Sequence, residues 1–420
     1  MTTLTHKFSK LMVRPTVRVV TMLLVLVGYA TTATFAQPRA YVANGNERTL
    51  SVIDSATNTV VATVPVGAGA IAITPDGAFA YLTTSNNTVS VLDTATNTIV
   101  ATVPVGPVPS QIAITPNGDF AYVTHLDIAP TGTVSVIDTA TNTVIDTVTV
   151  GRAPEGLAIT PDGAFVYVPN ALSHTVSVID TATNTVTATI SGFILPRWIA
   201  ITPDGAFAYV SNNDGSTVAV IDTATNTVIA NIQVGATPGR IDITPDGAFA
   251  YVAGDDFDDV VVVISTATNT VIARVSVPEP GDVAIRPDGA FAYVTNPFSN
   301  TVTVIDTTTN TVIATITVGN SPIAIAFPTR GQTDPISSLT AQVQALVTGG
   351  TLSENQGAAL INKLEQIQTK IDQRQTTAAC NQLGAFINQV NALINNGSLT
   401  GSQGQALINA ANAIKASLGC

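Results

Sequence analysis

Charge is scarce in this sequence, and so are most of the side chains that usually carry chemistry. Only 10% of the 420 residues are Asp, Glu, Lys or Arg, and the chain has two cysteines, three histidines and one tryptophan. Without a CxxCH motif there is no covalent c-type haem, and no Cys/His spacing resembles a zinc site. Residues 37–332 contain neither Lys nor Cys, which removes the usual Schiff-base and thiolate nucleophiles there. The GxSxG signature of serine hydrolases is absent. Beyond the N-terminus no apolar stretch is long enough to span a bilayer, so no transmembrane span is expected in the processed chain. With 45% apolar residues, a disordered chain is excluded as well.

What is present begins with an export signal. Lys7, Lys10, Arg14 and Arg18 precede an apolar run from Val19 to Val27, and small residues lead to Ala36. A signal peptide over 1–36 is expected, with cleavage after Ala36; an uncleaved anchor is the alternative, although the apolar run is short for a bilayer. The destination is then extracellular, cell-surface or periplasmic. Cleavage would shift the net charge from −12 to −16 by removing four basic residues and no acidic ones. Such a surface disfavours nucleic acid and anionic lipid. Residues 37–332 hold 8 Arg and 24 acidic residues, whereas 333–420 hold four of each sign, so two domains are expected.

A tyrosine opening a short apolar run recurs at Tyr41, Tyr81, Tyr122, Tyr167, Tyr209, Tyr251 and Tyr293, at intervals of 40, 41, 45, 42, 42 and 42. Each period reads as four strands: A (IAIT), B (FAYVT), C (TVSVID) and D (TVIATVPV). Between A and B lies Pro-Asp-Gly, as at Pro161–Gly163, a turn in which glycine tolerates a positive φ. Between C and D lies DTATNT, where Asp180 can cap the turn and Asn184 can turn left-handed. Apolar residues on both strand faces suit a blade sandwiched between two others, which is the all-β propeller pattern. The first repeat unit begins with a B strand at Arg39, and the last ends with an A strand at Ile323–Phe327. One blade must therefore combine both ends of the 37–332 segment, which closes a ring of seven.

Ala-Tyr-Val-Thr-Asn at 292–296, VIDTATNT and the Pro-Asp-Gly turns together resemble the YVTN repeats of bacterial and archaeal surface proteins. The resemblance covers residues 38–328 and implies a seven-bladed propeller in an exported, surface-layer-like protein. It leaves the activity open. From Pro335 the texture changes to Ala, Leu, Gln and Asn with helical spacing, and four amphipathic helices are expected within 333–420. Ser353 with Gln356 and Thr400 with Gln403 read as capping boxes. At an offset of 47, Val343, Leu346, Leu352, Leu360 and Ile361 match Val390, Leu393, Leu399, Leu407 and Ile408, so two helical hairpins are expected to pack together. Cys380 and Cys420 would tie them as a disulfide in an oxidising compartment. This segment resembles the FIMAH type of helical domain.

With this strand order the A–B and C–D turns share one rim, and the B–C and D–A loops share the other. The first rim is nearly identical in every copy. The second carries the differences, so a ligand is expected there; drift of unselected loops would also make them differ. Its D–A loops supply Arg152, Glu155, Arg197, Trp198, Arg240, Glu279 and Asp282. Trp198 beside Arg suits stacking on a sugar or planar ligand, or packing on the next blade. Asp242 stands where A strands carry Ala, and Arg286 where the next copy should have Thr; a cross-blade ion pair is expected, with a channel site as the alternative. Asp255, Asp256, Asp258 and Asp259 crowd one B–C loop and are the candidates for Ca²⁺, though without DxDxDG order and in a setting where solvated acidic loops are common. No other cofactor is expected. His125 and His174, both placed in B–C loops, are with Glu155 the candidates for acid–base work. Eleven aspartates of the repeat turns, such as Asp162 and Asp180, are hairpin devices. The reading is an exported, non-enzymatic binding or surface-structural protein that engages a protein, a glycan or an envelope component. The alternative is a lactonase-like propeller hydrolase or lyase with a metal-assisted site at the channel mouth.

Overall fold

The computed structural model describes residues 39–126, 130–255, 258–328, 335–372, 375–418 and 420. The expected signal peptide lies outside the described residues. Arg39 to Ala326 form seven four-stranded antiparallel sheets, and in each the strands run A, B, C, D from the innermost outward. We number them in chain order from the closing blade, blade 1. That blade pairs Pro322–Ala326 with Arg39–Asn44, Tyr41 lying opposite Ala326 and Val42 opposite Ile325. The innermost strands of blades 2 to 7 are Ile71–Ile73, Pro109–Ile114, Ala158–Ile159, Pro196–Ile201, Pro238–Ile243 and Val283–Ile285. The ring is thus shut by both ends of its own repeat array, as the strand phase requires.

Strands B and C are buried on both faces, as in Phe165–Asn170 and Thr175–Asp180, because each sheet lies between two others. The outermost strands alternate between exposed and partly buried residues, as expected where one edge meets water. Near every C–D turn the pairing slips by one residue, for instance between Val178 and Ile179, a bulge that adds twist to the blade.

The repeated turns do the joining. Asp180 Oδ1 accepts the N–H groups of Ala182 and Thr183 at 2.9 and 3.0 Å, and Asn184 adopts φ 51°. That left-handed asparagine has a second role across the blade boundary. Tyr122 donates its hydroxyl to Asn184 Oδ1 at 2.7 Å, and Tyr167 does the same to Asn226 at 2.6 Å. Six of the seven boundaries carry this stitch; at the seventh, Asn97 Oδ1 is buried without a partner. Burial pushes the Tyr122 and Tyr167 hydroxyls up to about 12, so they remain donors at ordinary pH. At the Pro-Asp-Gly turns, Gly163 (φ 75°) packs on the previous blade's proline: a Cβ there would lie 3.3 Å from Pro116 Cδ.

The helices are α1 (Pro335–Thr348), α2 (Glu354–Asp372), α3 (Thr376–Asn395) and α4 (Gly401–Ser417). Both capping boxes form: the Ser353 N–H donates to Gln356 Oε1 at 2.9 Å, and the Thr400 N–H to Gln403 Oε1 at 3.1 Å. The duplicated apolar positions meet in one core with Leu364, Leu383 and Phe386. Gly357 and Gly404, again 47 residues apart, bring helices together, since a Cβ at Gly357 would lie 2.1 Å from Val347 Cγ2 and one at Gly404 2.3 Å from Ile394 Cδ1. Gln356 Nε2 reaches Ser398 Oγ at 2.9 Å and links the two hairpins. Cys380 and Cys420 are paired, with Cα atoms 6.0 Å apart.

Candidate binding site at the channel mouth

In each copy one residue precedes the first apolar residue of strand A. These seven are Ala70, Gln111, Gly156, Trp198, Arg240, Asp282 and Pro322, and no two are alike. They form a collar where the D–A loops enter the channel. Three of them touch in series: the Arg240 guanidinium lies 3.9 Å from the centre of the Trp198 ring, and its Nη1 is 3.5 Å from Asp282 Oδ2. Gly156 makes room on the other side, because a Cβ there would sit 2.7 Å from the Arg197 carbonyl and 3.3 Å from Trp198 Cε3. Trp198 is therefore held between blade 4 and Arg240. One face of the ring is covered by the guanidinium, a contact of the kind the packing alternative describes.

Outside the collar, Arg197 bridges two loops: Nε lies 2.6 Å from Glu155 Oε2 and Nη1 2.9 Å from Asp255 Oδ2. Arg152 is exposed, and Glu279 uses its N–H on Asp259 Oδ1 at 2.8 Å. The predicted rim residues thus divide into a collar series, Trp198–Arg240–Asp282, a bridge, Glu155–Arg197–Asp255, and two more peripheral positions, Arg152 and Glu279.

Below the collar, a cavity of about 330 Å³ is bounded by innermost strands from six blades. Gln111, Arg240, Asp242 and Asp282 supply its polar wall, and Ile243, Ile285, Pro245 and Phe327 belong to its apolar wall. Asp242 does not form the expected ion pair with Arg286. Its two oxygens accept the N–H groups of Ile285, in the next blade, and Ile243, at 2.7 and 2.8 Å. Arg286 turns toward the opposite rim, where it pairs with Asp288 at 2.6 Å and donates to the Ser55 carbonyl of blade 1 at 3.1 Å. The reason is positional: strand A carries Asp242 along the channel, whereas Arg286 starts the A–B turn. Burial pushes the Asp242 carboxyl up to about 7, against the two backbone donors, and Asp282 adds to the rise. Asp282 is also raised by burial, opposed by Arg240.

The histidines occupy structural places. His125 ends a B strand, not a loop, and is fully buried; its Nε2 lies 2.8 Å from Ser135 Oγ and its Nδ1 3.2 Å from the Pro107 carbonyl. It stands where two other copies have an asparagine bonded to the equivalent serine, Asn44 to Ser51 and Asn170 to Ser177, each at 2.9 Å. Burial holds its pKa below the usual imidazole value. His174, at φ 56°, accepts the Leu195 N–H at 3.1 Å, while Glu155 is occupied by Arg197. These candidates are not brought together.

The acidic loop also disperses. Asp255 takes Arg197 and Asn213, Asp258 the Thr237 N–H at 2.6 Å, and Asp259 the Glu279 N–H. Asp256 lies outside the described residues. Among the described residues no three His, Cys, Asp or Glu side chains gather in one place. Gln111 was missed as a candidate, although the seven-way difference at its position in the repeat marks it.

Comparison with known proteins gives three family matches within the chain. Residues 121–214 match a YNCE-like beta-propeller, residues 183–285 a lactonase-type 7-bladed beta-propeller, and residues 336–416 the FIMAH domain. No curated protein matches. Among solved structures, hydrazine synthase of Kuenenia stuttgartiensis is 25% identical with a TM-score of 0.58, over 64% of this chain and 92% of that one. A functionally unknown protein from Desulfotomaculum acetoxidans is 20% identical with a TM-score of 0.62, over 69% and 98%. Dihydro-heme d1 dehydrogenase NirN, in complex with DHE, is 15% identical with a TM-score of 0.54, over 70% and 76%. The last two likenesses concern the fold alone. The repeats and the closed ring identify the chain as a seven-bladed β-propeller, followed by a region of four helices that matches the FIMAH domain.

Proposed function

We propose that this is an exported binding protein that engages a protein, glycan or envelope component through the rim of B–C and D–A loops, with the channel mouth as its centre. One observation carries the reading: in a chain whose copies are nearly interchangeable, the collar position differs in all seven, and Gln111, Arg240 and Asp282 there line a cavity. A side chain needed only to complete a blade would repeat, as the turn residues do. The export signal and the acidic surface support a partner outside the cytoplasm that is not a nucleic acid. The test is capture from an envelope extract by the mature chain. Replacing Arg197 and Trp198 by Ala should abolish partner recovery, and undiminished recovery would remove this rim from consideration.

A second reading, a lactonase-like hydrolase, is favoured by the match over 183–285, which contains Trp198, Arg240 and Asp242. Lactone cleavage by the purified chain that disappears in Asp242→Ala would support it. Absence of cleavage across a lactone panel would count against it.

A further inference from the structure

We infer that the channel cavity is a site for a small organic cation, an ammonium group on an apolar body, with Asp242 as its counter-charge. The inference rests on the variable rim being the ligand-receiving face, because Gln111, Arg240 and Asp282 of the collar line the cavity.

Three ionisable side chains line the cavity: Arg240, Asp242 and Asp282. Arg240 is matched to Asp282 at 3.5 Å and stacked on Trp198, so its charge is already answered. Asp242 has no cationic partner among the described residues; only backbone N–H groups of Ile285 and Ile243 reach it. With both carboxylates ionised the wall carries one uncompensated negative charge, and a carboxylate in such a wall calls for a partner. Burial pushes this carboxyl up and nearby Asp282 adds to the rise, so a cation placed beside it would relieve both effects.

A second demand has the same sign. Gln111 Oε1 is shielded from solvent and has no hydrogen-bond partner, and Gln111 lines the same cavity. An amide oxygen can only accept, so what satisfies it must donate. An ammonium group offers donors and charge together. An anion would meet two carboxylates and a guanidinium already taken. The apolar body would rest on Ile243, Ile285, Pro245 and Phe327, in a volume at the small end of ligand pockets.

The fold does not require this aspartate. The same place in the other six copies is Ala72, Ala113, Ala158, Ala200, Ala284 and Ala324, and all six blades form. Asp242→Ala therefore restores the repeat's own residue and tests the charge with little risk to folding.

Calorimetric titration of the mature chain near pH 8, where Asp242 is mostly ionised, should compare hexylammonium with hexanoate and 1-hexanol. The expected result is saturable binding of hexylammonium at least roughly tenfold tighter than either control, weakened about tenfold or more in Asp242→Ala. Gln111→Leu should weaken it less. Equal affinity for hexanol, tighter binding of hexanoate, undiminished binding by Asp242→Ala, or no hexylammonium binding would each overturn the inference. Capture from the envelope extract separates the two proposals. If Arg197→Ala/Trp198→Ala loses its partners while hexylammonium does not bind, the rim stands and the cation fails. If hexylammonium binds through Asp242 while those variants keep every partner, the cavity site stands and the rim reading fails.

Discussion

The two rims of the propeller are built from the same repeats but carry different work. On the rim of A–B and C–D turns, each side chain answers a fixed need: Asp180 caps a turn, Asn184 supplies a left-handed residue, and Tyr122 reaches over from the previous blade to bond it. Those needs recur from copy to copy, so the residues repeat. On the other rim the polar groups answer one another across blades in pairs that occur once, such as Arg240 with Asp282 and Arg197 with Glu155. Repetition marks what holds the ring, and departure from repetition marks where the ring is free to meet something else.

The contrast can be broken by substitution. The largest effect should come from the closing strand: deleting residues 320–328 leaves Arg39–Asn44 with an unpaired edge, and the chain should aggregate in size-exclusion chromatography. A stable monomer would contradict ring closure. Next, Tyr167→Phe strands the partly buried Asn226 oxygen and should cost about 1–3 kcal/mol in denaturant unfolding. The same change at Tyr41, where no such bond is made to Asn97, should cost less.

A smaller effect follows from pH. The Asp242 carboxyl lies at about 7 in the folded chain against an ordinary value of 3.8, so the folded state holds this proton more tightly than the unfolded one. The stability it contributes is present below about pH 4 and is lost as pH rises to about 7. Asp282 is raised too and acts in the same direction, opposed by Arg240. After solvent screening, the loss assigned to Asp242 should be about 1–2 kcal/mol, and Asp242→Ala should flatten the slope between pH 5 and pH 8 without abolishing it. An Asp242→Ala chain whose stability falls between pH 5 and pH 8 as steeply as that of the wild type would contradict the burial of Asp242. The smallest effect is expected at Arg152, whose exposed side chain should change stability by no more than about 0.5 kcal/mol when replaced by Ala.

Most of the fold was legible in the sequence because a repeat multiplies its own signal. Proline, glycine and asparagine at fixed offsets define the hairpins, and the offset between first B and last A strand dictates closure. The Tyr–Asn stitch was harder to see: both residues recur, but their meeting depends on how one blade sits on the next, which no single period contains. The site was legible only as a rim. That Arg240 covers Trp198, that Arg286 leaves Asp242 for Asp288, and that His125 serves as a buried substitute for asparagine are all set by side-chain direction across blades. Sequence spacing does not encode that direction. The helical region followed its periodicity closely, down to both capping boxes.

The most direct test of the two-rim account compares capture by two variants of the mature chain, each checked by thermal unfolding. One replaces Arg197 and Trp198 by Ala on the variable rim; the other replaces Asp162 and Asp246 by Asn on the repeated rim. Partner recovery should be lost in the first and kept in the second. Loss only in the second, or full recovery in both, would contradict the assignment of binding to the variable rim.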